Sequence, residues 1–254
     1  MKLTGKLLEG RIAIVTGASR ERGIGLATAR LFAEHGARIA LLDLDEGDAV
    51  RAARSIGDDH IGVGCDVRNA RACQTAVQCV ADWAGRVDVL VNNAGMTQRS
   101  GVLEINAEDY ERITDIILKG TLQMSQCAIP HMLTHGGGAI VNVSSMSAQQ
   151  GGGVFGGSHY CAAKAGVLGL TRAVAKELGP KGVRCNAVTP GLILTDFSRG
   201  ATSDESKHER AQSFPLSRIG QPSDIAAACL YLASDLSAFV TGITLDVNGG
   251  AYMR

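Results

Sequence analysis

Short β-branched runs alternate with longer stretches of helical periodicity along this chain. The runs at 12–16, 38–43, 61–65, 87–91, 139–143, 183–188 and 243–247 predict strands. Helical spacing of apolar positions fills the gaps, at 23–35, 69–84, 108–134, 158–179 and 222–233. Such alternation implies right-handed crossovers and a parallel sheet covered on both faces. The expected fold class is α/β, a doubly wound parallel sheet of about seven strands with helices on both faces. Such a sheet binds ligands at the carboxyl ends of its strands. The stretch 197–218 breaks the rhythm. It is polar, charged and long for a connection, and is expected to be a lid beside the ligand crevice.

Composition narrows the picture. The 254 residues suffice for one α/β domain with a full core, and no low-complexity or charge-block linker divides them, so one domain is expected over 1–254. The 25 basic and 25 acidic side chains balance, which argues against nucleic acid as a partner. No apolar run is long enough to span a bilayer, and residues 1–11 hold no stretch of signal-peptide length. Seven cysteines, an odd number with no Cys-x-x-Cys pair, lie mostly in apolar patterns such as those of Cys65, Cys127 and Cys229. Reduced, buried thiols in a cytoplasmic protein are expected.

The chemistry gathers at Tyr160 and Lys164. Four residues apart in a helical pattern, they share one face. An ammonium beside a phenol favours the phenolate and draws its pKa down from ~10. Such a tyrosine can exchange a proton with an alcohol or carbonyl oxygen. His159 beside it points about 100° away on an ideal helix and is expected at the pocket rim or in solvent. His131 and His135 stand four apart, but His-Glu-x-x-His is absent and His135 suits a helix C-terminus, so structural histidines and no metal are expected.

After the first predicted strand comes Thr16-Gly17-Ala18-Ser19-Arg20-Glu21-Arg22-Gly23-Ile24-Gly25. Glycines there let the backbone approach a pyrophosphate, whose charge a helix N-terminus stabilises. Gly17, Ser19, Arg20, Gly23, Ile24 and Gly25 are the candidate contacts. Asp43 closes the second strand. Its carboxylate can accept from an adenosine ribose and would repel a 2′-phosphate, which favours NAD over NADP. Arg20 and Arg22 pull the other way, though a solvated, self-neutralising Arg20-Glu21-Arg22 tip is the preferred reading.

Together these residues resemble the short-chain dehydrogenase/reductase family, from about Gly10 to Gly250. The resemblance implies a single Rossmann-type domain. It makes Asp66-Val67 an adenine-contacting pair. Asn92-Asn93-Ala94-Gly95 matches the Asn-Asn-Ala-Gly that steadies the sheet beside the cofactor, placing Asn93, Ala94 and Gly95 there. Pro190-Gly191-Leu192-Ile193-Leu194-Thr195 matches the stretch holding the nicotinamide carboxamide, with Pro190, Gly191, Ile193 and Thr195 as contacts. Ser145 falls where the catalytic serine is expected, to hydrogen-bond the reacting oxygen, with Ser144 and Ser147 as close neighbours. Lys164 would also hold the nicotinamide ribose.

Two departures stand out. The glycine turn is two residues longer than usual, leaving open which of Ser19, Arg20 and Arg22 meets phosphate. Ile117 occupies the place of a catalytic asparagine that holds a water in a proton relay. The resemblance implies an NAD(P)-dependent oxidoreductase of a secondary alcohol or ketone, near the 3-oxoacyl-carrier-protein reductases and polyol dehydrogenases. The alternative is a cofactor-binding member with little turnover. The pocket is expected between Met96, Met146, Gln149, Gln150, Phe155, Leu192 and 197–218, with no basic cluster placed to grip a carboxylate or phosphate. A homotetramer is implied through the long helices at 108–134 and 158–179, whose surplus apolar residues include Ile113, Ile116, Ile117 and Leu118.

Overall fold

The computed structural model describes residues 5–152, 156–198 and 203–253. Seven strands form one parallel sheet: β1 (Ile12–Thr16), β2 (Arg38–Asp43), β3 (Ile61–Gly64), β4 (Val89–Asn92), β5 (Gly138–Val143), β6 (Val183–Pro190) and β7 (Thr244–Val247). Their order is β3-β2-β1-β4-β5-β6-β7. Ala13 pairs with Ile39 on one side and Val89 on the other, so β1 and β4 flank the point where the winding reverses. That reversal opens a crevice above the strand ends.

The helices are α1 (Ile24–Glu34), α2 (Glu46–Arg54), α3 (Ala70–Ala84), α4 (Ala107–Thr114), α5 (Gly120–Leu133), α6 (Ser147–Gln150), α7 (Ser158–Leu178), α8 (Asp204–Ala211) and α9 (Pro222–Ala233). Strand residues alternate between the two faces, as a pleated strand requires. Ala13, Val15, Ile39 and Leu41 join the cluster under α1 and α9, with Leu26, Phe32, Ile225 and Leu232. Ile12, Ile14, Ala40 and Leu42 join the opposite one, with Val77 of α3, Met124 of α5 and Leu178 of α7. Both faces are thus apolar, and each fully buried Leu or Ile contributes about 1.5–3 kcal/mol. The predicted strands and the parallel sheet are present.

Two features depart from the sequence reading. Among the expected helices α6 and α8 have no counterpart, and neither has α2. It starts at Asp45, whose side chain accepts from the Asp48 amide at 2.8 Å, and buries only Ala49, Ala52 and Ala53. It lies so close to β3 that a Cβ on Gly62 would stand 2.2 Å from the Ala49 carbonyl carbon, so a side chain there would push the helix off the sheet. The expected helix over 108–134 is divided between α4 and α5 by a π-helical turn at Asp115–Lys119, with the Gly120 amide bonded to the Asp115 carbonyl. Such turns recur at functional positions.

Candidate active site

The strand ends and loops enclose a cleft of about 1010 Å³. Every candidate site residue lines it except Gly25, which lies beneath the glycine turn. A Cβ at Gly25 would come within 2.6 Å of the Gly17 carbonyl oxygen and 2.7 Å of Asn93 Nδ2, so the turn folds onto α1 only over a glycine. Asn93 Nδ2 donates to the carbonyls of Thr16 at 2.9 Å and Gly17 at 2.8 Å. Thr16 Oγ1 accepts in return from the amides of Asn93 and Ala94 at 3.0 and 2.9 Å. The ends of β1 and β4 are thereby clasped together.

At the β2 end, Asp43 Oδ2 accepts from Ser19 N at 2.9 Å and Ser19 Oγ at 2.7 Å, and Oδ1 accepts from the Leu44 amide at 2.8 Å. Ser19 therefore anchors the aspartate. Next to it Arg68 grips Asp66 with Nη2 at 2.7 Å, which holds that carboxyl below its usual range. The arginine tip is not self-neutralising. Glu21 pairs with Arg30 at 2.7 Å, and Arg22 reaches Asp204 of α8 at 2.7 Å and Asp196 at 3.3 Å. Arg20 stays on the cleft wall.

At the β5 end stand Ser145, Tyr160 and Lys164, all buried. Lys164 Nζ donates to the Val143 carbonyl at 2.6 Å, and Ser144 Oγ donates to the Lys164 carbonyl at 2.8 Å. Ser144 thus fixes α7 against β5. Ser145 is the serine whose side chain bonds Tyr160, and its Oγ also accepts from the Ser147 amide at 3.1 Å. Burial pushes the phenol up to about 12, against a downward pull from Ser145. Burial draws Lys164 down to about 8. Burial thus moves both groups toward their neutral forms, opposite in direction to the lowering of Tyr160 expected from Lys164. Below them Asn92 Nδ2 donates to Asn142 Oδ1 at 2.9 Å and Asn142 Nδ2 to Thr171 Oγ1 at 2.9 Å, tying β4, β5 and α7 under the site.

Ile117 lies in the π turn and is 1% exposed, packed with Ile113, Ala163 and Val167 against Tyr160. Ile113 and Ile117 are spent inside the protomer rather than surplus on its surface. Of the expected pocket wall, Met96, Met146, Gln150 and Leu192 line the cleft. Gln149 does not, since its Nε2 donates to Asp246 at 2.9 Å. Phe155 lies outside the described residues, as do 199–202 of the expected lid. His159 is buried rather than at a rim, its Nε2 3.4 Å from Gln98 Oε1, because the loop carrying Gln98 folds over α7. His135 Nδ1 lies 3.1 Å from the His131 carbonyl, at the end of α5.

Sequence reasoning missed the contribution of α8. Lys207, Arg210 and Phe214 all line the cleft, where no arginine or lysine cluster was expected to grip a carboxylate or phosphate. Their spacing of three and four was the available signal.

This fold and site define a short-chain dehydrogenase/reductase. A family profile described as Enoyl-(Acyl carrier protein) reductase matches residues 17–252. An uncharacterized short-chain type dehydrogenase/reductase of Sinorhizobium fredii is 49% identical over 248 residues, covering 96% of this chain and 98% of that protein. A 3-oxoacyl-[acyl-carrier-protein] reductase of Vibrio cholerae is 38% identical, with 97% and 99% covered. A D-threitol dehydrogenase of Mycolicibacterium smegmatis is 39% identical, with 96% and 93% covered. The crystal structure of a short-chain type dehydrogenase/reductase from Mycobacterium marinum superposes with a TM-score of 0.90 at 32% identity, 97% of each chain covered. The chain belongs to the short-chain dehydrogenase/reductase family and is an oxidoreductase of CH–OH groups, with NAD(P) as the family's cofactor. The cleft fits a dinucleotide: Gly17 and Gly23 of the turn and the amide end of α1 line the span between the Asp43 and Tyr160 ends. Among the described residues, no helix is long and apolar enough to cross a membrane.

Proposed function

We propose that the protein interconverts a secondary alcohol and its ketone with NAD, using Tyr160 as general acid/base. The observation that carries this reading is the convergence of buried Ser145, Tyr160 and Lys164 on one cleft wall, with Tyr160 bonded to Ser145. When bound, the dinucleotide supplies the hydride acceptor or donor for the carbinol carbon. Gly17, Ser19, Arg20, Gly23 and Ile24 would hold its phosphates, Asp43 the adenosine ribose, and Asp66 and Val67 the adenine. Asn93, Ala94, Gly95 and Lys164 would flank the nicotinamide ribose, and Pro190, Gly191, Ile193 and Thr195 the carboxamide.

Ser145 Oγ donates to the reacting oxygen and stabilises charge developing there. Tyr160 Oη takes the hydroxyl proton in oxidation and returns it in reduction. The Lys164 cation, fixed by the Val143 carbonyl, stabilises the phenolate as it forms. NAD rather than NADP is supported by Asp43, whose carboxylate is held at the cleft edge by three donors, and by the diversion of Arg22 to Asp196 and Asp204. Residues 197–218 act as the lid, supported by the place of α8 on the cleft wall. The working form is a cytoplasmic homotetramer, supported by the exposed Tyr110 and Leu122 along α4 and α5.

The test is Tyr160→Phe, which removes one hydroxyl. It should lower kcat about 10²–10⁴-fold and leave NADH binding in place. Ordinary turnover by this variant would overturn the assignment. A second reading, cofactor binding with little turnover, is favoured only by the apolar Ile117. Absence of activity across alcohols and ketones with intact NADH binding would select it.

A further inference from the structure

The inner stripe of α8 has a chemistry that hydride transfer does not use. Lys207, Arg210 and Phe214 recur on one side of this helix and the turn after it, and all three line the cleft. Lys207 is only 5% exposed, with Nζ donating to the Thr195 carbonyl at 3.1 Å and to Asp204 Oδ1 at 3.2 Å. Arg22 occupies the other side of Asp204 and also pairs with Asp196. Two carboxylates thus serve Arg22 and Lys207, and Arg210 is left without a carboxylate partner among the described residues. Glu205 and Glu209 are exposed and off the cleft lining. Arg210 thus adds a positive charge to the rim, as Arg20 does at the glycine turn.

The position of that charge identifies what it faces. The first turn of α8 is pinned to the glycine loop through Asp204. Arg210 lies six residues further on, about 9 Å along the axis at ~1.5 Å per residue, toward the apolar group of Leu192, Ala211, Phe214 and Ile219. On the secondary-alcohol reading, this end of the cleft is left for the substrate, past the segment proposed to hold the nicotinamide.

We propose that Arg210, backed by Lys207, receives an oxyanion on the substrate, so that the alcohol is a hydroxy acid or a phosphorylated polyol rather than a neutral polyol. The inference rests on the secondary-alcohol reading above. A guanidinium forms paired hydrogen bonds with carboxylate or phosphate. Phe214 and Leu192 give the carbon chain between that anion and the reacting carbon an apolar bed.

The test pairs each anion with its neutral counterpart: 3-hydroxybutyrate with its methyl ester, and glycerol 3-phosphate with glycerol, assayed with NAD. At least one anion should exceed its counterpart by about tenfold or more in kcat/KM, and which one separates carboxylate from phosphate. Arg210→Gln should collapse that ratio, and Arg210→Lys should restore part of it. Equal or better use of both neutral compounds would overturn the proposal. So would an unchanged ratio with weakened NADH binding in Arg210→Gln, which would give the guanidinium to the cofactor. Should none of the four be turned over, titration of the NADH complex with glycerol 3-phosphate and 3-hydroxybutyrate decides the anion site. Binding lost in Arg210→Gln would support it, and no binding by the unaltered protein would sink it.

Discussion

Thr121 donates its hydroxyl to the carbonyl oxygen of Ile117 at 2.6 Å. The bond occupies the Ile117 carbonyl within the π turn, where the resemblance led to the expectation of an asparagine. Ile117 itself turns its side chain into an apolar cluster beneath Tyr160, which offers an amide no partner. Ile117→Asn is therefore expected to destabilise by about 1–3 kcal/mol through a buried unpaired group and to leave kcat no higher than before. Thermal melting and steady-state rates check both halves. A faster enzyme would mean that the missing side chain limits turnover.

Asp43 gives the cofactor prediction. Asp43→Ala removes the negative charge at the ribose end while Arg20 stays on the cleft wall. NADPH binding should tighten and NADH binding weaken, each by about tenfold, about 1.4 kcal/mol. Titration by nicotinamide fluorescence reads both. Unaltered protein that binds NADPH more tightly than NADH would sink the Asp43 reading.

Lys164 and Tyr160 give a pH signature in stability. The folded-state pKa of Lys164, about 8, lies below the ordinary lysine value near ~10.4. The unfolded chain then binds the extra proton between those values, so stability rises with pH across that window and the cost of burying the amine is complete below it. Lys164→Met should raise Tm at pH 7 by about 2–4 °C, a gain of about 1 kcal/mol net of the lost Val143 bond, and the advantage should fade as pH passes 8. Tyr160 runs opposite: its folded value of about 12 exceeds the ordinary ~10, so above pH 10 it removes stability. Tyr160→Phe should flatten that alkaline loss. Melting curves from pH 7 to 11 test both.

Arg22 makes a kinetic prediction. Its pairs with Asp196 and Asp204 link the glycine loop to the segment over the cleft, and all three side chains are substantially exposed. Arg22→Ala should weaken NADH retention about two- to fivefold at low salt, with the difference shrinking as ionic strength rises. Stopped-flow dissociation of NADH measures it. A salt-independent difference would mean that the arginine acts through something other than this pairing.

The sheet was legible because its strands are buried on both faces and say so residue by residue, as Ile12–Thr16 does. α2 was less so: it buries three alanines, too small to stand out against Glu46, Asp48 and Arg51. The site motifs were readable because each falls at a strand end. What could not be read was burial. His159 is enclosed by a loop sixty residues away in sequence, near Gln98, and the direction of the Tyr160 shift depends on how much water the finished cleft admits. Lys207 and Arg210 formed a visible stripe, but only the fold reveals that it faces a cavity.

The clasp between Asn93 and the Thr16–Gly17 turn has a consequence for how this enzyme can change over time. It joins the half of the sheet proposed to grip a cofactor to the half proposed to do chemistry, through hydrogen bonds at the seam. Under the proposed function, ligand entry falls to the segment anchored through Arg22 and Lys207. Substitutions in that outer segment can therefore retune which molecule is admitted, and how quickly it leaves, while the reacting groups keep their spacing.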